Sequence, residues 1–204
     1  MKNEIIIIGA GGHVTSVLNL LKYTEYTVIG IYDNSYQEGK NELINAIPVK
    51  GRIDSIPSRY QILLSIGDNH ERRRLFHRFS NQILADNLIH ELSFIEDHIE
   101  MGIANQILAN SYLNANTVIG NNNIINSSST IEHEVRIGSH NHISVNTTIC
   151  GRVTIGDSCF IGAGTVIIDK INICSDVTIG AGSVVIRSIE EPGVYVGNPL
   201  RKIK

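Results

Sequence analysis

The segment TIGDSCFIGAGTVI, residues 154–167, places an isoleucine at every sixth position. The same spacing holds over fourteen consecutive positions, and all fourteen are aliphatic. A period of six fits neither a 3.6-residue helix nor a two-residue strand alternation; it is the hexapeptide signature of a parallel β-helix. Each hexapeptide makes one short strand and one corner, so three of them complete a triangular coil. The residues predicted to point inward are Ile107, Leu113, Ile119, Ile125, Ile131, Ile137, Ile143, Ile149, Ile155, Ile161, Ile167, Ile173, Ile179 and Val185.

The composition also favours a narrow solenoid core. The chain has 204 residues, of which 35 are isoleucine, four are phenylalanine and none is tryptophan. Glycine and asparagine, frequent in the second half, are expected at the corners, where a positive φ is needed. Ile89, Ile95 and Met101 keep the same spacing, which predicts that the solenoid begins near residue 89 with irregular first turns acting as a cap.

The first half of the chain has the alternation of an α/β domain. Buried strands are predicted at Glu4–Ile8, Thr27–Tyr32 and Gln61–Ile66. Helices are predicted from His13 to Lys22 and over 68–80. Strands that alternate with helices in this way form a parallel sheet.

Three short polar segments follow the predicted strands. They are Gly9 to His13, Asp33-Asn34 and Gly67-Asp68-Asn69. The first lies where a strand turns into a helix, a position suited to phosphate, although Val14 breaks the full dinucleotide pattern. Each segment also has an interpretation without a ligand. Gly9 to His13 could be a tight turn that needs glycine for packing, and Asp33-Asn34 could be an ordinary turn. Because the three strand ends meet at one edge of a parallel sheet, a binding crevice there is favoured.

Among the histidines, His133 is the strongest candidate for a catalytic role. It stands two residues after the inward Ile131, at an outward or corner position, and Glu134 follows it. A carboxylate that fixes the tautomer of an imidazole allows it to accept a proton from a nucleophile. A solvated surface histidine without a role is the alternative. Surface solvation is expected for four other histidines, His70, His77, His98 and His140.

Charge, hydropathy and cysteine spacing exclude several classes. A net charge of −3 argues against a nucleic-acid binder, which would carry a basic face. No apolar run reaches the ~18 residues of a membrane span, and the first apolar run is too short for a signal peptide, so we expect a cytoplasmic protein. Cys150, Cys159 and Cys174 fit neither a disulfide framework nor a zinc site, and no metal is expected.

Taken together, these segments resemble the bacterial nucleotide-sugar acetyltransferases of the hexapeptide-repeat class. The nearest groups are the bacillosamine-pathway UDP-4-amino-sugar N-acetyltransferases and the sialic acid O-acetyltransferases. The resemblance covers essentially the whole chain. It is carried by IIIIGAGGH at 5–13, IYDN at 31–34, SIGDN at 65–69, INSSSTIEHEVRIG at 125–138, HISV at 142–145, CGRVTIGDSCFIGAG at 150–164 and YVGNP at 195–199.

The resemblance implies the architecture of the protein and its ligands. A Rossmann-like nucleotide-sugar-binding domain would span 1–88, and a left-handed parallel β-helix with a C-terminal tail would span 89–204. The left hand is taken from the resemblance, since ordinary crossover rules favour the right hand. The protein would be a homotrimer, with acetyl-CoA in the groove between neighbouring β-helices.

The resemblance also implies residue roles. His133 would be the general base and Glu134 the carboxylate that orients it. The nucleotide sugar would be bound by Gly11, Gly12, His13, Asp33, Asn34 and Gly67. The acetyl-CoA site would be lined by His142, Gly151, Ala163 and Ala181.

These roles predict an acetyl-CoA-dependent N-acetyltransferase. It would act on the amine of a UDP- or dTDP-linked 4-amino-4,6-dideoxy sugar in bacterial surface-glycan (polysaccharide) biosynthesis. One alternative is an O-acetyltransferase that modifies sialic acid or a related free sugar. Another is a non-catalytic solenoid that serves as a scaffold or binding module.

Overall fold

The computed structural model describes residues 3–204, and the chain divides into two compact units. The first unit ends at Ala85 and the second begins at Asp86. This division lies three residues before the predicted boundary at 88/89, because Leu88 already pairs with Gln106 as part of the solenoid.

The N-terminal unit is a five-stranded sheet with two helices. Its elements are β1 (Asn3–Ile8), α1 (His13–Leu21), β2 (Tyr26–Tyr32), β3 (Leu43–Ile44), β4 (Ile47–Gly51), a 3₁₀ turn (Ile53–Ser55), β5 (Gln61–Leu64) and α2 (Asn69–Arg78). The strand order is β3-β4-β2-β1-β5. Because β1 pairs in parallel with β2 and β5, these three strands end at the same edge of the sheet.

The interior strand β1, which pairs with β2 and β5, explains why this unit folds as it does. Its four isoleucines, Ile5 to Ile8, are all completely buried, as expected for a parallel strand covered on both faces. The five apolar residues that α1 buries recur at helical spacing and are Val14, Val17, Leu18, Leu20 and Leu21. At α2, the Asp68 carboxylate accepts the Glu71 N–H at 2.7 Å and caps the helix.

The parallel sheet was predicted, but the β3–β4 hairpin was not. Its two turn residues, Asn45 and Ala46, adopt φ values of 48° and 67°. Alanine carries no signal for a positive φ, and Pro48 argues against a strand, although it is tolerated at an edge. The third predicted strand also ends earlier than expected, at Leu64.

The second unit is a parallel β-solenoid with three faces. The first face contains β6 (Leu88–Ile89), β9 (Gln106–Ile107), β12 (Ile124–Ile125), β15 (His142–Ile143), β18 (Phe160–Ile161), β21 (Val177–Ile179), β23 (Gly193–Val196) and β24 (Arg201–Lys202). The second contains β7 (Phe94–Ile95), β10 (Tyr112–Leu113), β13 (Thr130–Ile131), β16 (Thr148–Ile149), β19 (Val166–Ile167) and β22 (Val184–Val185). The third contains β8 (Glu100–Met101), β11 (Val118–Ile119), β14 (Arg136–Ile137), β17 (Thr154–Ile155) and β20 (Asn172–Ile173). Only the β23–β24 pair on the first face is antiparallel.

The predicted inward register is confirmed at every position. All fourteen sixth-place residues are at most 3% exposed, and they form one continuous core cluster. The residue four positions after each of these inward residues is often buried as well, as at Val135 and Val153. Residues 18 apart pair directly between coils, so Ile131 lies beside Leu113 and Ile149.

The corners were predicted only in part. Asparagine occupies several positive-φ positions as expected, including Asn110 and Asn116. However, Gly120 does not have a positive φ; a Cβ there would lie 2.7 Å from the carbonyl oxygen of Gly138. The glycines that follow the inward aliphatics are therefore required for close approach between coils, and other residue types, such as Glu134, take the left-handed conformation.

One histidine expected on the surface is buried instead. His70, His77 and His98 are exposed as predicted, but His140 is only 5% exposed. Its Nδ1 lies 2.9 Å from the side-chain amide nitrogen of Asn122, one coil earlier. Its side chain therefore lies against the previous coil and not in solvent.

Candidate active site

His133 lies at the corner between the second and third faces, which we call the 2–3 corner. The strand β13 ends at Ile131 and β14 begins at Arg136, so the corner comprises residues 132–135. Hydrogen bonds along the solenoid fix its backbone. The Glu134 N–H donates to the Ala115 carbonyl at 3.1 Å, and the Arg152 N–H donates to the His133 carbonyl at 3.0 Å.

Glu134 holds the imidazole of His133. Its Oε2 lies 3.0 Å from Nδ1, and the two side chains are 45% and 54% exposed for histidine and glutamate, respectively. Because a carboxylate can only accept a hydrogen bond, this contact favours the tautomer with the proton on Nδ1. The lone pair is then on Nε2, the nitrogen that a general base needs.

Gly151 provides the space in which this imidazole lies. It occupies the position 18 residues after His133, one coil further along the same corner. A Cβ built on Gly151 would lie 2.7 Å from both Cε1 and Nε2 of His133. The structure therefore brings two of the predicted site residues into direct contact, and any side chain at 151 would displace the ring.

Cys150, beside Gly151, is a feature of this corner that the sequence did not single out. Burial raises the pKa of its thiol, and the charges of Asp169 and Glu132 raise it further. A thiol with a raised pKa is a poor nucleophile, because the reactive form is the thiolate.

The residues expected around acetyl-CoA are divided among different parts of the solenoid. His142 lies on the first face, 9% exposed, with Nε2 at 3.2 Å from the Asn126 amide nitrogen and an edge contact with Phe160. Ala163 and Ala181 lie between the first and second faces, at what we call the 1–2 corner. Within one chain, Gly151 contacts His133, whereas Ala163 and Ala181 lie at a different corner.

In the N-terminal unit, the loops after β1 and β2 are joined at the carboxyl edge of the sheet. The Ala10 N–H donates to Oδ2 of Asp33 at 2.9 Å. The other carboxylate oxygen, Oδ1, accepts the N–H and the hydroxyl of Ser35 at 2.8 and 2.6 Å. Burial opposes ionisation of Asp33, but the hydrogen bonds from Ser35 and Ala10 outweigh it and lower the pKa. Asn34, next to it, is exposed.

The loops after β1 and β5 are also in contact. Gly9 has a φ of 110°, and a Cβ there would lie 2.6 Å from the Ser65 carbonyl oxygen. Close packing against the loop after β5 therefore requires glycine at this position. Gly11 and Gly12 are exposed with open space around their Cα atoms, so packing does not explain them. The loop after β1 therefore contacts Asp33 after β2 and Ser65 after β5, as expected from the parallel strands.

The N-terminus of α1 has neither a side-chain cap nor a negative charge beside it. Its N-cap is Gly12, no side chain caps the helix, and the first turn contains no acidic residue. The first N–H groups of a helix and its dipole favour a negative group at such an end. His13, the first residue of α1, is partly exposed there.

Arg72 is the residue of this unit that sequence reasoning missed. Its side chain is fully buried, and its guanidinium donates to the carbonyl oxygens of Ile66 and Gly67. Burial lowers the pKa of Arg72 to about 9, against the opposing effect of Asp68. The run ERRR at 71–74 predicts a polar helix face, and only the helical phase could have shown that its second residue points inward.

Within residues 3–204, no group of three or more histidine, cysteine, aspartate or glutamate side chains could hold a metal ion. In the same part of the chain, no helix combines the length and the apolar character needed to cross a membrane.

Two family models match separate parts of the chain. Residues 4–79 match the PglD N-terminal domain. Residues 134–169 and 152–187 match the bacterial transferase hexapeptide, a family of six repeats. The chain therefore combines a segment similar to the PglD N-terminal domain with segments similar to the bacterial transferase hexapeptide. No curated protein sequence matches this one.

Several solved structures are similar to this protein over nearly its full length. A mutant of perosamine N-acetyltransferase from Caulobacter crescentus, in complex with CoA and GDP-perosamine, is 26% identical with a TM-score of 0.92, over 98% of this chain and 97% of that one. The acetyltransferase domain of PglB from Neisseria gonorrhoeae FA1090 is 25% identical with a TM-score of 0.90, over 98% and 100%. WeeI from Acinetobacter baumannii AYE, at 22% identity, has a TM-score of 0.87 over 98% and 100% and shares the fold.

Proposed function

We propose that this protein is an acetyl-CoA-dependent N-acetyltransferase that acts on the amine of a UDP- or dTDP-linked 4-amino-4,6-dideoxy sugar. The observation that carries the proposal is the 3.0 Å contact between Nδ1 of His133 and Glu134, with Nε2 lying over Gly151. The Caulobacter relative, which contains CoA and GDP-perosamine, supports this pairing of ligands.

The reaction that fits this corner is direct transfer. The amine nitrogen attacks the carbonyl carbon of the thioester, and a C–N bond forms as the C–S bond breaks. His133 accepts the amine proton at Nε2 and returns it to the departing CoA thiolate, while Glu134 stabilises the imidazolium. A backbone N–H donates to the oxyanion. The raised pKa of Cys150 supports direct transfer over an acyl-enzyme.

The nucleotide would bind at the carboxyl edge of the N-terminal sheet. The strand order reverses beside β1, because the chain crosses from β4 on one side of it to β5 on the other. Such switch points bind ligands in open α/β sheets. We propose that Gly11, Gly12 and His13 bind the phosphates. Asp33 and Asn34 would bind the base and the ribose, and the main chain at Gly67 would lie along the nucleotide sugar.

A homotrimer would complete the acetyl-CoA site. His133 and Gly151 lie at the 2–3 corner, whereas Ala163 and Ala181 lie at the 1–2 corner of the same chain. A cosubstrate that contacts both corners therefore requires a neighbouring copy, which is our reason to propose that the groove lies between subunits. We place His142 in the same groove. The reaction would serve surface-glycan synthesis in the cytoplasm.

The test is a CoA-release assay with purified protein and acetyl-CoA. The acceptors are UDP-, dTDP- and GDP-linked 4-amino sugars, with free sialic acid as the competing acceptor. We expect release with a UDP- or dTDP-linked amine and none with sialic acid. Release with sialic acid alone would replace the proposal by O-acetylation, and no release with any acceptor would overturn it.

A further inference from the structure

Asparagine recurs at one buried position of the corner between the third and first faces, which we call the 3–1 corner. Asn105, Asn123 and Asn141 are spaced 18 residues apart, so they stack in successive coils, and each is completely buried. At the equivalent position of the 2–3 corner the chain has Val135 and Val153. A buried amide is costly unless it is hydrogen-bonded, so the three asparagines need a reason that valine does not.

The three side chains form a hydrogen-bonded ladder along this corner. Oδ1 of Asn105 accepts the main-chain N–H and the side-chain amide of Asn123 at 2.9 and 3.0 Å. Oδ1 of Asn123 accepts the Asn141 N–H at 2.8 Å. Oδ1 of Asn141 accepts the Cys159 N–H at 2.6 Å. Each asparagine side chain therefore fixes the backbone of the coil that follows it.

His142 directly follows the asparagine of this ladder that binds Cys159. The His142 N–H donates to the Cys159 carbonyl at 2.9 Å, while the Cys159 N–H is bound by Asn141. Both main-chain polar groups of Cys159 are thus bonded to Asn141 and His142. The next residue, Phe160, pairs with His142 in the strand ladder, and the two rings meet edge to face with centroids 5.2 Å apart. Asn141 therefore fixes the coil against which the imidazole packs.

The same support occurs beneath two residues of other kinds. Gln106 follows Asn105 and Ile124 follows Asn123, and each begins a strand of the first face, as His142 does. Of these three outward residues, only His142 is assigned to the acetyl-CoA groove. The ladder therefore contains its own comparison, since equivalent asparagines support residues inside and outside the proposed site.

We propose that Asn141 is a positioning residue for acetyl-CoA: it fixes the coil at Cys159 and Phe160, so that the imidazole of His142 keeps the orientation in which it lines the groove. The inference rests on the proposed function, since that assigns His142 to the groove. Asn141 is completely buried and does not touch the ligand. Its effect arises because a small displacement of a binding group is costly, and the group is only as well placed as the residues that support it.

The experiment measures binding of acetyl-CoA, and separately of UDP, dTDP and GDP, to the full-length protein by calorimetry. The variants are Asn141→Ala, Asn123→Ala and Asn105→Ala. Each removes one completely buried asparagine from the same ladder, so Asn105→Ala is the matched control for Asn141→Ala. Asn123→Ala removes the acceptor of the Asn141 N–H and leaves the bond to Cys159 in place. Thermal unfolding of each variant is recorded beside the binding data.

We expect the acetyl-CoA Kd to rise about tenfold in Asn141→Ala, about threefold in Asn123→Ala, and not at all in Asn105→Ala. The unfolding temperature should fall by a similar amount, roughly 4–8 °C, in all three variants. The nucleotide Kd should not change in any of them. A merely structural role would lower the unfolding temperature and leave the acetyl-CoA Kd unchanged, and that result overturns the inference.

An equal rise of the acetyl-CoA Kd in Asn105→Ala, or a parallel rise of the nucleotide Kd, also overturns it, because either would show a general loosening of the protein. If Asn141→Ala does not fold, Asn123→Ala is compared with Asn105→Ala by the same criteria. If the wild-type protein does not bind acetyl-CoA, the proposed function fails, and this inference with it. Wild-type binding with unchanged variants overturns only the role of Asn141.

Discussion

Two consecutive corners of the solenoid contain histidines seven residues apart. The two side chains differ in exposure and in the group that contacts Nδ1. At the 2–3 corner, His133 is 45% exposed and its Nδ1 meets the Glu134 carboxylate at 3.0 Å. At the next corner, between the third and first faces, His140 is 5% exposed and its Nδ1 meets the Asn122 amide at 2.9 Å. The residue type is the same, and the surroundings decide its role.

The difference comes from the residues one coil away. A residue at a corner stacks on those 18 positions before and after it, and for His133 these are Ala115 and Gly151. Neither carries a polar side chain, so the imidazole keeps Nε2 available and has room over Gly151. For His140 the preceding residue is Asn122, which binds the ring. The solenoid thus leaves an imidazole accessible at the 2–3 corner, because the residues stacked on it are small.

The largest effect is expected from His133→Asn, which tests whether the exposed histidine has a role that the buried His140 lacks. Because a general base is worth ~10²–10⁴ in rate, we expect kcat to fall at least about a hundredfold. The side chain is at the surface, so the unfolding temperature should not change. Steady-state CoA release and thermal denaturation measure the two quantities. Near-wild-type turnover would remove His133 from the mechanism.

A second change, Gly151→Ala, leaves the histidine in place and removes its space. The new Cβ would lie 2.7 Å from Nε2, and the exposed ring would have to rotate away. We expect kcat to fall about thirtyfold, since small displacements of a catalytic group are costly.

The matched control for that change is Gly120→Ala. There the Cβ meets the backbone carbonyl of Gly138 at 2.7 Å, which cannot move aside. This variant should lose stability and keep its kcat at low temperature. Equal kcat values for the two alanine variants would show that Gly151 has no special relation to His133.

A third change, Glu134→Gln, tests the partner of the imidazole. Glutamine can still accept a hydrogen bond from Nδ1 but does not stabilise the imidazolium, so we expect kcat to fall about tenfold. Glu132→Gln is the control, because that carboxylate is bound to the Asn114 amide at 2.7 Å. Similar losses in both variants would point to a general effect of negative charge.

The smallest effect is expected from His140→Ala. Loss of the contact with Asn122 should lower the free energy of unfolding by about 1 kcal/mol, or roughly 2–4 °C in the unfolding temperature. The kcat should be unchanged, and denaturation with a parallel activity assay checks both. A loss of kcat comparable to that of His133→Asn would erase the distinction between the corners.

The periodic part of the fold could be predicted from the sequence because each coil repeats one packing problem. The register of Ile131 and its equivalents follows from spacing alone, and it also places His133 outside the core. What a corner side chain contacts is not periodic. The burial of His140 depends on Asn122 and could not be inferred from the position of the corner.

The N-terminal unit was less predictable because its contacts are specific. The convergence of Asp33 with the glycine loop follows from the order of parallel strands, and the contact with Ala10 agrees with it. The β3–β4 hairpin depends on an alanine at positive φ, for which the sequence has no signal. Arg72 is buried by the phase of a short helix within a run of charges, where composition predicts exposure.

The most direct measurement of the central claim is chemical rescue of His133→Ala by imidazole. The histidine side chain is 45% exposed, so a free imidazole can reach the vacated space over Gly151. We predict that added imidazole restores CoA release from acetyl-CoA and the amino-sugar acceptor, in proportion to its unprotonated fraction, and has no effect on wild type. A His133→Ala enzyme that already turns over at the wild-type rate without imidazole would contradict the account.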